Sequence, residues 1–191
     1  MDPVWLFLVL ALVVVIAVAL VAVVVSARKT VRRQQERLDA AWTAITGQIS
    51  ARSETLAELR SRVETVAGHE RSRLTDLNAA VADLETADDA QDASRAEDRV
   101  QGGIRELLHV AEGYPDLQRD KDFLRLQGEL AREGGEIQTA RRQYNGTVRE
   151  YNTKIRTFPG ALVARSLGAS PRPYFEVADR AAISAPPKVQ F

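Results

Sequence analysis

The 191-residue sequence predicts an all-α protein, an antiparallel bundle of long helices with an N-terminal transmembrane helix and an extended C-terminal tail. Three observations predict it. Residues 4–25 form one unbroken apolar run, and the chain after it repeats apolar residues at spacings of three and four. Strand-type alternation of apolar and polar residues is absent from the sequence. The chain accordingly divides into a transmembrane helix over 4–25, a helical bundle over 28–168 and an extended tail over 169–191.

The apolar run, Val4 to Val25, holds 22 residues without one polar side chain. At about 1.5 Å per residue it is roughly 33 Å long, enough to cross a bilayer core. A cleaved signal peptide is the competing reading, and Val25, Ser26 and Ala27 resemble a small-residue cleavage site. A signal peptide, however, has a basic start and an apolar stretch of about 7–15 residues. Here the start is Met1, Asp2 and Pro3, and the run is longer, which favours a retained anchor. Asp2 and the terminal amine roughly cancel, whereas Arg28, Lys29, Arg32 and Arg33 follow the run directly. Positive-inside reasoning places the N-terminus outside and the bundle in the cytoplasm. The same four cations are suited to anionic lipid headgroups.

Net charge is zero, with 26 Lys+Arg against 26 Asp+Glu, but the charges are segregated. Residues 28–68 carry +3, 69–112 carry −6, 113–158 carry +2 and 159–191 carry +2. An acidic stretch between two basic ones suits helices that complement one another laterally; a solvated acidic surface is the alternative. Cysteine is absent, which excludes a disulfide scaffold, a thiolate nucleophile and a sulfur-ligated zinc site.

After the anchor, Leu38, Trp42, Ile45, Ile49, Leu56, Leu59, Val63 and Val66 mark one helical stripe of coiled-coil type, interrupted by Arg52. No proline lies between Val4 and Val66, so the span is expected to run on into this helix unless Gly47 bends it. Leu74, Leu77, Val81 and Leu84 form a second stripe, and Val100, Ile104, Leu107, Leu108 and Ala111 resume it. The polar stretch 87–96 between them predicts a helix end near Thr86 and a new start near Ala93. Gly113, Tyr114, Pro115 and Asp116 form a turn in which Asp116 is placed to cap the next helix. That helix carries Phe123, Leu126, Leu130, Ile137, Ala140, Tyr144, Val148, Tyr151, Ile155 and Phe158. Gly134 and Gly135 in its middle mark a close approach, a hinge or a tolerated weak spot. Pro159 and Gly160 stop it, residues 161–167 allow about two more turns, and the prolines at 171, 173, 186 and 187 predict an extended tail.

The blocks Glu112-Gly-Tyr-Pro-Asp-Leu117, Phe123-Leu-Arg-Leu-Gln127, Ala140-Arg-Arg-Gln-Tyr-Asn145, Tyr151-Asn-Thr-Lys-Ile-Arg156 and Phe158-Pro159 occur in order. With Ala40-Ala-Trp42, Gly68-His-Glu70, Pro173-Tyr-Phe-Glu176 and the ending Pro187-Lys-Val-Gln-Phe191, the chain resembles the LemA family over nearly its full length. The resemblance implies a bacterial membrane protein whose helical bundle hangs from one N-terminal span with a small external N-terminus. It does not imply an enzymatic activity; it implies an association, without a mechanism, with other membrane proteins, including HtpX-like metallopeptidases and TPM-domain proteins. The chain departs from the family pattern in one place. Where relatives carry a basic pair and an Asp-Leu-Ile-Pro-Asn-Leu-like block, it has Ser50-Ala-Arg-Ser-Glu-Thr-Leu-Ala-Glu-Leu59 without proline, so a straighter first helix is expected.

Groups capable of chemistry are few. His69 lacks the second histidine at i+4 that a zinc-protease helix needs, and His109 lies on a different helix. Gly102 and Gly103 precede no Lys-Ser/Thr, and the carboxylate pair Asp88 and Asp89 reads as solvated. No metal, cofactor or catalytic residue is expected. Tyr144 with Asn145, and Tyr151 with Asn152, repeat at a period of seven and form a ladder on one helix face. It reads as packed rings whose polar groups satisfy buried partners and fix register, with a ligand-binding face as the alternative. Arg141, Arg142, Arg149, Lys154 and Arg156 make a basic run, but its segment nets only +2, so no nucleic acid is expected as a partner. The expected partners are membrane lipid, other copies of the chain and other membrane proteins. The expected role is a membrane-anchored scaffold or interaction protein, with an accessory or regulator of a membrane peptidase as the alternative.

Overall fold

A computed structural model describes residues 3–66 and 71–176. The described residues are mostly helical and contain no strand. Helix α1 runs from Pro3 to Val66, α2 from Arg71 to Glu85, α3 from Ala90 to Glu112, α4 from Pro115 to Arg119, α5 from Lys121 to Lys154 and α6 from Gly160 to Ala164. A 3-10 turn, Arg165–Leu167, follows α6. The chain divides into two compact units. One comprises residues 1–40 and 146–172, the other 41–145 and 173–191.

Helix α1 is continuous for 64 residues, through Gly47 and through the segment that lacks proline. Its first stretch, over Phe7 to Leu20, is exposed on every side, whereas Ala27 is 3% exposed and Val31 1%. Burial thus begins two residues beyond the apolar run. In that first unit α6 turns Gly160, Val163 and Ala164 inward. A Cβ at Gly160 would stand 2.2 Å from the Lys154 carbonyl oxygen and 3.7 Å from Val31 Cγ2, so only glycine allows this turn to close against α1.

In the second unit the apolar stripes are the core. Ile45, Ile49, Leu56, Leu59 and Val63 of α1 are buried, as are Leu77 and Leu84 of α2, Val100, Ile104, Leu107 and Ala111 of α3, and Phe123, Leu126, Leu130, Ile137 and Tyr144 of α5. Trp42 and Tyr144 pack with ring centroids 5.6 Å apart at 53°. Asp83 of α2 pairs with Arg99 of α3 at 2.8 Å. Close by, a Cβ at Gly103 would lie 2.7 Å from Leu77 Cδ1, so this glycine sets how nearly α2 and α3 approach.

Several element boundaries differ from expectation. Helix α3 begins at Ala90 and not near Ala93, because Asp89 is its N-cap and accepts from the Gln91 and Asp92 N–H groups at 2.8 and 2.9 Å. Asp116 is not the cap of the next helix. It sits in the first turn of the short α4, which opens on Pro115 and ends at Arg119. The cap is Asp120, which accepts from the Asp122 and Phe123 N–H groups at 2.8 and 3.1 Å. Helix α5 ends at Lys154, and Phe158, read as the last stripe residue, is 76% exposed in the turn beyond it. Val66, at the end of the first stripe, is likewise exposed. Gly134 and Gly135 have no atom within 4 Å of an added Cβ, which excludes a close approach there.

Candidate functional site

The ladder on α5 holds a segment of chain that the sequence reading treats only as tail. In the second unit Asn145 Nδ2 donates to the Phe175 carbonyl and the Phe175 N–H donates back to Asn145 Oδ1, both at 2.9 Å. Tyr144 adds a hydroxyl bond to the Pro173 carbonyl at 3.2 Å, and the Phe175 ring is 1% exposed. In the first unit Asn152 repeats the pattern with Arg172, donating to its carbonyl and accepting from its N–H at 2.9 Å each. An amide side chain presents an N–H donor and a carbonyl acceptor side by side, the complement of an extended backbone residue, which explains asparagine at both rungs. Tyr151 is buried as expected, at 1% exposure.

A second polar constellation lies within the apolar stripes of the second unit. Arg52 and Glu97, 2% and 1% exposed, form a two-pronged ion pair in which Arg52 Nη1 donates to Glu97 Oε1 at 2.8 Å and Nη2 donates to Oε2. Gln101 Nε2 also donates to Glu97 Oε1 at 2.8 Å. Thr55, one turn along α1 from Arg52, donates to Glu133 Oε1 at 2.9 Å, and Glu133 is 7% exposed. These polar groups sit where an apolar residue is due: Glu97 between Ala93 and Val100, Glu133 between Leu130 and Ile137. Burial, and then neighbouring Arg142, push the Arg141 guanidinium below its ordinary pKa, against the pull of Glu97 and Asp98.

At the edge of the unit Arg62 binds Asp120 at 3.0 Å and Asp122 at 2.5 Å. The N–H of Phe123 is the main cause that holds the Asp120 carboxyl below its ordinary pKa; burial opposes it, while the Asp122 N–H and Arg62 assist. Sequence reasoning missed Glu97, Glu133, Asp120 and Phe175. A charged residue at a stripe position was the available signal for the two glutamates, whereas nothing local marks Phe175.

The remaining candidates are dispersed. Arg28, Lys29, Arg32 and Arg33 are exposed on α1 in the first unit. His69 lies outside the described residues, as do 177–191 of the tail. His109 is exposed, with Nδ1 3.1 Å from Glu112 Oε2. Among the described residues no three His, Asp or Glu side chains converge as metal ligands. A shallow cleft lies along Asp83, Asp88, Asp92, Arg95 and Arg99, whose charges pair within it as Asp83 with Arg99 and Asp92 with Arg95.

The family model for LemA matches residues 41–191. The chain belongs to the LemA family. Both asparagine rungs and the Arg172–Phe175 segment they hold fall inside the LemA match, as do Arg52, Glu97 and Glu133. The apolar run and its basic flank precede the LemA match and stand on their own composition. A comparison with curated proteins finds no match.

Proposed function

We propose that the chain is a single-pass membrane scaffold of the bacterial cell envelope, without catalytic activity of its own, that self-associates and presents its helical bundle to other membrane proteins. The observation that carries this reading is helix α1, in which an apolar segment of membrane-spanning length, with no protein packed on it, continues without a break into a helix that buries a stripe. A segment with mean hydropathy 3.6 and no covering is stable in hydrocarbon and not in water. The cations at 28–33 support an orientation with the N-terminus outside and the bundle in the cytoplasm, by the positive-inside rule.

An antiparallel bundle is supported by the partners within the second unit. Trp42 meets Tyr144, Thr55 meets Glu133, and Arg62 meets Asp120 and Asp122, so numbers fall along α5 as they rise along α1. Self-association is supported by the tether and by charge. Copies held in one orientation in a plane have a raised effective concentration, and the acidic stretch 69–112 complements the basic stretch 28–68 of a neighbour.

The test is the mass of full-length protein in mild detergent at low and high salt. A multimer is expected at low salt, and it should shrink when Asp88, Asp89 and Asp92 are together changed to Asn, because screening and neutralisation weaken the same contacts. Asparagine is itself a good N-cap, so the change at Asp89 removes charge while keeping the start of α3. A strictly monomeric protein overturns the scaffold reading, and a one-to-one complex with a peptidase replaces it with an accessory role.

A further inference from the structure

The turn after α5 and the outer face of α6 leave large apolar side chains uncovered close to the end of the apolar run. Phe158 is 76% exposed and Leu162 63%, more than any other large apolar residue described outside residues 4–25. Scattered exposed apolar residues are ordinary, but this pair is placed unusually. Helix α6 buries Gly160, Val163 and Ala164 and leaves Ala161 and Leu162 exposed, so its outer face carries no polar side chain. A helix at a water-facing corner presents polar residues on its outer face.

Position along α1 supplies the reason. Gly160 lies against Val31, six residues or about 9 Å beyond Val25, the last residue of the run. Covering begins still closer, at Ala27, about 3 Å beyond it. The headgroup layer on each face of a bilayer is about 5–8 Å thick, and a helix with its side chains is about 10 Å across. An element packed against Val31 therefore overlaps that layer. The charge around it fits: Lys154, Arg156 and Arg165 are exposed on the corner, and Arg28, Lys29, Arg32 and Arg33 are exposed on the adjoining stretch of α1. Exposed apolar residues ringed by cations are the chemistry of a segment that lies in the interface of an anionic membrane.

We infer that residues 155–165 form a second membrane contact, in which Phe158 and Leu162 enter the headgroup region of the same bilayer that α1 crosses, while Lys154, Arg156 and Arg165 meet anionic headgroups. The inference rests on the reading of residues 4–25 as a span. It adds a fixed depth and rotation for the chain at the membrane surface, since one helix alone is free to slide and turn.

The cysteine-free sequence allows a direct test in full-length protein reconstituted into vesicles of phosphatidylethanolamine and phosphatidylglycerol. A bimane probe is placed singly at Leu162→Cys, at Leu10→Cys within the run and at Ala87→Cys in the turn between α2 and α3, and nitroxides are carried on lipid headgroups or acyl chains. Expected is headgroup-level quenching at 162 at least about threefold stronger than at 87, with deep quenching at 10. Phe158→Ser should reduce the quenching at 162 without lowering the thermal midpoint, because Phe158 is not part of the core. Replacing phosphatidylglycerol by phosphatidylcholine should reduce it as well. Deep quenching at 10 with none at 162 overturns the inference and leaves the span intact. Blue-shifted emission at 162 without lipid quenching also overturns it, because a protein surface then covers the corner. Absence of quenching at both 10 and 162 removes the span and this inference together.

Discussion

At the scale of single residues, the most consequential feature is the ion pair of Arg52 and Glu97 inside an apolar core. Two charges taken out of water are compensated, among the described residues, by each other and by Gln101. Arg52→Ala is therefore expected to cost about 3–5 kcal/mol, because it leaves Glu97 buried and unpaired. The double change Arg52→Met with Glu97→Leu should restore most of that loss, and thermal unfolding of the three proteins in detergent, followed by circular dichroism, measures both. Asp120 gives a prediction with pH. Its native pKa lies below its ordinary value of 3.8, so its stabilisation is complete above that value and is lost as pH falls through the native one. Asp120→Asn should then lower the unfolding midpoint at about pH 6, and the gap between the two proteins should narrow as pH falls below the ordinary carboxylate value.

Among the elements, α5 holds one weakness and one device. Gly134 and Gly135 meet nothing within 4 Å, so each change to Ala should raise stability by up to about 1 kcal/mol through helix propensity. Gly103→Ala, pressed against Leu77, should lower it, and thermal midpoints compare the three. The device is the pair of asparagine rungs. Asn145→Ala removes both bonds to Phe175 and should speed exchange of the Phe175 amide by about tenfold or more, read by hydrogen-exchange mass spectrometry. The long helices and their stripes were legible in the sequence, because burial along a helix repeats at 3.6 residues and leaves its period in the letters. The rungs were visible as a ladder, yet their partner was not: Phe175 is buried by a contact 30 residues away in sequence, with no local period to betray it. Boundaries failed for a related reason. Asp89 and Asp120 look like the acidic residues beside them, and only backbone geometry distinguishes a cap from a solvated carboxylate.

For the whole molecule, orientation is the expectation most open to experiment. A thiol introduced as Ala87→Cys should resist a membrane-impermeant maleimide in intact cells and react after lysis; efficient labelling of intact cells would invert the assigned orientation. The order in which the chain is made bears on the same core. Contacts of α1 in the second unit have unequal separations: 18 residues from Arg60 to Asn78, 45 from Arg52 to Glu97 and 78 from Thr55 to Glu133. At about 5–20 residues per second, the ribosome delivers Glu133 roughly 4–16 s after Thr55. On the proposed reading of residues 4–25 as a span, that segment is free to enter the bilayer while the face of α1 that α5 will cover is still wet. Translation that halts between α3 and α5 would therefore leave buried apolar residues of α1 such as Leu56 and Leu59 without the full core, a surface of the kind that chaperones recognise.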